Sequence, residues 1–367
     1  MAGKAYTPSG FEPDTHERWA GPTEQGSKEL TKDNLREANR RPSYATYKQI
    51  QEYRQRGESY ILGHYSYEMM YDIYAGIEDN LVEGSIDTHL HIWPDYVPRD
   101  IDIIELAIQA SKAKMEAIVC KDHFFPNVGQ AWAAQWVVEQ MVEKGELEKA
   151  CKVFGTHILA WTYHPDQINL IRKYPNLGYI FFPTMSGRVI KGAFAGPPMS
   201  VLTSKGSLRT EVKECIDACA EYKIPMATGH TGLMKPKERI ALVEYAHDVG
   251  CKMLVTHAGV IAMRGFVTID EMKEMARIGT YLDFQANVFL PNLMHPAVDP
   301  NAIMDTMRAV GPENNIVATT DFGQPMCESP VPAWKHFIRG MIHSGFTEDE
   351  IRLMVRTNPA KWLGLNV

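Results

Sequence analysis

The sequence has six cysteines in 367 residues, at 120, 151, 215, 219, 251 and 327, and no two of them form a C-x-x-C pair. Such dispersal excludes a zinc knuckle and offers no disulfide framework, so reduced thiols are expected. Cys215 and Cys219, one turn apart on an amphipathic helical stretch, read as small apolar residues. No apolar run approaches the roughly 20 residues needed to cross a bilayer, so no membrane partner is expected. The start of the chain also lacks the basic-then-apolar order of a signal peptide, and a cytoplasmic address is expected. Positive charge is short: 38 Lys and Arg against 45 Asp and Glu leave a formal net charge of -7. Proteins that track phosphate backbones carry a basic stripe, so nucleic acid is not an expected partner.

What is present is ordinary for a folded enzyme-sized chain, with 45% hydrophobic and 23% charged residues. That supports one main domain, a barrel of roughly 250 residues plus an extension. About forty N-terminal residues are polar with scattered Pro and Gly, and read as an arm docked on the body or on a neighbouring subunit. From Tyr44 to Leu81, residues such as Tyr47, Ile50, Tyr53 and Tyr74 recur near helical spacing and predict two helices with a packed tyrosine face. The expected organisation is therefore an arm and helical extension over 1–84 and a barrel over 85–367, with a homo-oligomer as one use for the arm.

After Gly84 the rhythm changes to short apolar runs alternating with helical stretches. Candidate strands are Ser85 to His89, Ala117 to Lys121, His157 to Thr162, Gly178 to Phe182, Pro225 to Thr228, Lys252 to Thr256, Tyr281 to Gln285 and Ile316 to Thr320. Eight βα units fit an α/β fold of the (β/α)8 TIM-barrel kind. Periodicity alone also allows a doubly wound open sheet. The barrel is preferred because several predicted strands end in chelating or acid-base side chains, as a barrel's C-terminal rim requires. A long loop rich in Gly and Pro, Met185 to Arg209, follows the fourth strand. Thr347-Glu348-Asp349-Glu350 predicts a capped helix ending near Arg356.

The chemistry starts at Ile86-Asp87-Thr88-His89-Leu90-His91-Ile92-Trp93. His89 and His91 are expected to meet one ion where the first strand ends and its backbone bends. Alone the pair says little. Its meaning comes from later strand ends: Thr228-Gly229-His230, Val255-Thr256-His257-Ala258-Gly259 and Thr319-Thr320-Asp321-Phe322-Gly323 each place an imidazole or carboxylate beside glycine.

This arrangement resembles the amidohydrolase superfamily of metal-dependent barrels, over Ser85 to Val367. The closing run Asn358-Pro359-Ala360-Lys361-Trp362-Leu363-Gly364-Leu365 is similar to that of many members. The resemblance implies His89, His91, His230 and Asp321 as ligands of a divalent metal, with Asp321 also accepting a proton from metal-bound water and His257 orienting that water. It implies a hydrolase acting on a C-N, C-O or activated C-C bond of a small, cyclic or aromatic molecule, with ring opening included. Two other readings stay open: nonhydrolytic decarboxylation on the same barrel, and a catalytically silent metal-binding scaffold.

The fourth run, Gly178-Tyr179-Ile180-Phe181-Phe182, lacks the lysine or glutamate that bridges two metals in dinuclear members. One ion is therefore favoured over two, and zinc over manganese for nitrogen and oxygen ligands. Lys121 and His123, at the end of the second run, keep a second ion open. Lys121 could instead bind a substrate carboxylate or steady an oxyanion. Trp93, His164 and Arg188 are the remaining substrate-contact candidates, each with an ordinary packing, helix-start or surface role as its alternative.

Overall fold

In the computed structural model, residues 77–366 are described except 96, 160–162, 184–199, 231–233, 264, 289, 291–299 and 326. The expected arm, most of the tyrosine-rich helices, Arg188 and most of the fourth loop lie outside the described residues. The chain packs as two units, residues 1–78 with 339–347, and 79–338 with 348–367. In the first, Arg339 forms a buried ion pair with Glu78.

The second unit holds eight strands in the order β1 to β8: Ile86–His91, Ala117–Lys121, Lys152–Ile158, Leu177–Phe181, Met226–Ala227, Met253–Val255, Tyr281–Gln285 and Ile316–Thr319. Every neighbouring pair is parallel. A parallel bridge between Leu90 and Phe322 joins the last strand to the first, and the His91 amide donates to the Phe322 carbonyl at 2.9 Å. The sheet thus forms a nearly closed (β/α)8 barrel, its seam made by that bridge just past β8. β2 reads AIVCK with all five residues buried, which is what a parallel sheet covered on both faces demands of its strands.

The helices between strands start where their caps say they should. Asp102 accepts the amides of Ile104 at 2.8 Å and Glu105 at 2.9 Å to open the helix Ile103–Lys112. Thr268 and Glu271 form a reciprocal capping box on Ile269–Arg277. Inside the barrel, Val119, Tyr179, Phe181, Leu254 and Val317 pack with Trp362 of the helix Asn358–Leu363. Asn358 explains part of the closing run: its side-chain amide donates to the Ile316 carbonyl at 2.8 Å, tying that helix to β8.

Two elements depart from expectation by more than three residues. β3 is Lys152–Ile158, starting five residues before the predicted His157. Gly155 weakens the strand signal there, yet a Cβ at that position would stand 2.8 Å from Asn127, so close backbone approach requires it. The C-terminal helix predicted to run to Arg356 is shorter, Glu348–Arg352, and passes through a π-helical turn, Leu353–Thr357, into Asn358–Leu363. The helix Pro330–His343 has no counterpart in the sequence reading. The five cysteines 120, 151, 215, 219 and 251 are buried and free, Cys327 is partly buried, and no disulfide is present among the described residues. No described helix is long and apolar enough to cross a membrane.

Candidate metal centre

His89 and His91 both lie within β1 rather than past its end. No bend is needed, because residues two apart in a strand share a face. The β1–β2 register shifts between Asp87 and Leu90, the stretch that includes His89. At the far side of the seam, the Asp321 amide donates to the His89 carbonyl at 2.7 Å, which delivers the Asp321 carboxylate to both imidazoles. Its Oδ1 stands 3.2 Å from His89 Nε2 and 3.0 Å from His91 Nε2. Its Oδ2 accepts from Asn287 Nδ2 at 2.5 Å and lies 3.6 Å from His257 Nε2.

The backbone at this mouth is specialised. His257 has φ 58° and Asp321 φ 55°, both in the left-handed region where non-glycine residues are uncommon and strained. Two residues on, Gly323 has φ 124°, and a Cβ there would come within 1.9 Å of the His91 carbonyl oxygen. Only glycine lets the segment after β8 pass the end of β1 at this distance.

Asp283 of β7, which the sequence reading passed over, is the organising carboxylate. It is 1% exposed. Its Oδ2 contacts His89 Nδ1 at 3.0 Å and accepts the His257 backbone amide at 3.1 Å and Gln285 Nε2 at 2.9 Å. Its Oδ1 accepts the Thr319 hydroxyl at 2.6 Å. A carboxylate on Nδ1 places the proton there and turns the Nε2 lone pair of His89 toward Asp321. Asp87 also went unremarked: it accepts the Thr320 hydroxyl at 2.6 Å and the His89 amide at 3.1 Å, and burial pushes its carboxyl up to about 7. The one sequence signal for Asp283 was a lone charge in an otherwise apolar run, a residue that burial obliges to find partners. Asn287 carried no signal.

Electrostatics follow this wiring. Burial would raise Asp321, but His89 and His257 outweigh it and hold the carboxyl well below its ordinary range. Burial and the Lys121 ammonium press on His89, yet Asp321 and Asp283 leave that imidazole above its usual value. Burial lowers His91 and His230 well below theirs and takes His257 to about 4. Three neutral imidazoles are what ligation or proton acceptance needs.

The donor set fits a divalent cation. The ligand atoms of His89, His91 and Asp321 all lie within 4.8 Å of one another, and all three residues are buried. Separations of 3.0 to 3.2 Å match adjacent ligands with bonds of about 2.0–2.2 Å. His91 Nδ1 is buried without a hydrogen-bond partner. His230 does not join that trio; its ring centroid stands 4.4 Å from that of His257.

The other candidates separate. His123 stacks on His91 with centroids 4.6 Å apart. With Asp95 it forms a second group that could hold an ion. Arg99 already occupies that corner: its Nε donates to Asp95 Oδ2 at 2.9 Å and its Nη2 lies 3.1 Å from His123 Nδ1. A guanidinium there opposes a second cation. Lys121 is buried at the end of β2, with its Nζ 4.6 Å from the centroid of the Phe181 ring. His164 accepts the Asp166 amide at 3.2 Å as the N-cap of Pro165–Ile171, and Trp93 is 58% exposed.

With the geometry established, similarity searches add a family and a fold. Residues 84–283 match a family model described only as a family of unknown function. No curated protein matches the chain. Among solved structures, an amidohydrolase from Pseudomonas aeruginosa is 12% identical with a TM-score of 0.52, covering 78% of this chain and 98% of that one. A putative 2-pyrone-4,6-dicarboxylic acid hydrolase from Pseudomonas putida is 11% identical with a TM-score of 0.52, covering 77% and 98%. An amidohydrolase from Burkholderia multivorans, with HEPES bound, is 10% identical with a TM-score of 0.50, covering 77% and 99%. At such identities the likeness is one of fold, a (β/α)8 barrel shared with these amidohydrolase structures.

Proposed function

The chain belongs to that family, DUF6282, whose description leaves its activity open, so the site itself has to supply the function, and we propose a divalent-metal-dependent hydrolase of small molecules. The observation that carries this reading is the convergence of His89 Nε2, His91 Nε2 and Asp321 Oδ1 at a buried barrel mouth, with Asp283 behind His89. His89, His91 and Asp321 would hold the ion; His230, the further ligand that the family resemblance implies, stands outside that trio beside His257. Zinc suits this mixture of nitrogen and oxygen ligands better than manganese, and Arg99 beside His123 supports one ion over two. When bound, such an ion supplies Lewis acidity and lowers the pKa of a water molecule.

The remaining work falls to the chain's own groups. Asp321 Oδ2 receives a proton from the attacking water, and Asn287 keeps that oxygen aimed into the mouth. His257 Nε2, neutral and 3.6 Å from the same oxygen, passes the proton toward the leaving group. Asp283 holds the His257 turn from behind. Hydrolase names among the structural neighbours, one of them for a cyclic dicarboxylate, agree with this class.

The test is metal analysis of the purified chain, followed by a screen of lactones, amides and esters in ¹⁸O-labelled water. Near-stoichiometric zinc and label in the product are expected. Carbon dioxide release without label would replace hydrolysis with decarboxylation. Metal without turnover of any compound would favour a silent scaffold.

A further inference from the structure

Lys121 is 2% exposed. Among the described residues it makes no hydrogen bond and no ion pair, and its Nζ sits over the Phe181 ring. Strand alternation sets it on the same face as Val119, which packs inside the barrel, so the side chain rises through the interior toward the mouth. It pairs in register with His91 on β1. Its charge is felt by His89, His230 and His257 as well as by Asp283 and Asp321.

An ammonium on so buried a side chain, with no protein acceptor at its tip among the described residues, is costly, and such groups are normally matched by an anion. The two carboxylates whose charge Lys121 feels are already engaged. Asp283 serves His89, His257, Gln285 and Thr319, while Asp321 serves His89, His91 and Asn287. The ring of Phe181 stabilises the cation from one side but accepts no strong hydrogen bond. An oxyanion formed only during reaction would leave the ammonium unmatched in the substrate complex. A carboxylate carried by the substrate would match it from the moment of binding.

We propose that Lys121 is the seat of a substrate carboxylate, so that the enzyme acts on a small organic acid whose reactive group lies beside the His89, His91 and Asp321 centre. This inference rests on the hydrolase reading and narrows it. Phe181 lies against the ammonium and would put an apolar surface beside the seated carboxylate, which favours a cyclic or aromatic acid over a short aliphatic one.

The experiment uses the full chain, zinc-loaded and with metal content measured, titrated calorimetrically with acetate, benzoate and phthalate, and with benzamide as the neutral counterpart of benzoate. At least one carboxylate should bind, with benzoate tighter than benzamide by about tenfold or more, the scale of a charged hydrogen bond. Lys121→Met should keep fold and metal but lose that preference, and Lys121→Arg should recover part of it. Lys121→Gln serves if the methionine variant does not fold. Equal benzoate affinity in wild type and variant at equal metal content overturns the proposal, as does failure of all three carboxylates to bind. Loss of metal from Lys121→Met, with a ¹³C carbamate signal in wild type given labelled bicarbonate, also overturns it by making Lys121 a metal ligand. A wild type that takes up no metal refutes the hydrolase reading instead, and the same titrations then judge Lys121 on metal-free protein.

Discussion

Asp283→Asn separates charge from shape at the centre. In the wild type one oxygen, Oδ2, faces His89 Nδ1, the His257 amide and Gln285 Nε2, while Oδ1 accepts the Thr319 hydroxyl. An asparagine can keep its carbonyl toward the first three and turn its amide to Thr319, whose hydroxyl rotates to accept. The hydrogen bonds survive in number and the negative charge is lost. His89 then becomes a weaker ligand, and partners in this position typically matter by 10–100-fold in metal affinity. That corresponds to about 1.4–2.7 kcal/mol. Asp283→Ala removes the acceptor altogether and leaves several buried donors unmet, each at about 1–3 kcal/mol, so a loss of fold stability joins the loss of affinity. Competition with a chelator of known zinc affinity measures the first effect; thermal unfolding of metal-free protein measures the second. If Asp283→Asn binds zinc within about twofold of wild type, the claim that Asp283 tunes His89 is wrong.

Other perturbations probe separate parts of the molecule. Asp321→Asn should leave a folded protein whose kcat falls by about 100-fold or more, since its proton acceptor is gone; near-native turnover would remove Asp321 from the mechanism. Gly323→Ala forces a Cβ against the His91 carbonyl at a φ of 124°, and a loss of at least about 2 kcal/mol is expected in denaturant unfolding. Burial lowers Lys121 to about 8 against the pull of Asp283 and Asp321, from an ordinary value of 10.5. Between those values the unfolded chain binds more protons, so metal-free wild type should gain stability relative to Lys121→Met as pH rises through that window. A flat difference across the range would refute it. Asp102→Ala should cost about 1 kcal/mol in stability, because two amides at the start of Ile103–Lys112 lose their acceptor.

The number of strands, their alternation with helices and part of the mouth follow from the sequence alone. Parallel strands buried on both faces must be apolar runs, and chelating side chains directly after such runs stand out against them. His89, His91, His257 and Asp321 were therefore legible, while β3 was misplaced because Gly155 interrupts its pattern for the sake of a close approach to Asn127.

How those residues act together depends on the packing of the folded barrel. Asp283 lies on β7 and Asn287 on the turn after it; a lone charge in an apolar run marks the first and nothing local marks the second, and neither pattern names the partners, which come from β1 and from the ends of β6 and β8. The same holds for Arg99, far in sequence from His123 yet set against it where a second ion would otherwise fit. His89 and His91 needed no bend to share a face, but the seam between β1 and β8, closed over Gly323, is what brings Asp321 to both. Hydrogen-bond partners across a closed sheet depend on register and twist summed around the ring, and a linear pattern of residue types does not contain that sum.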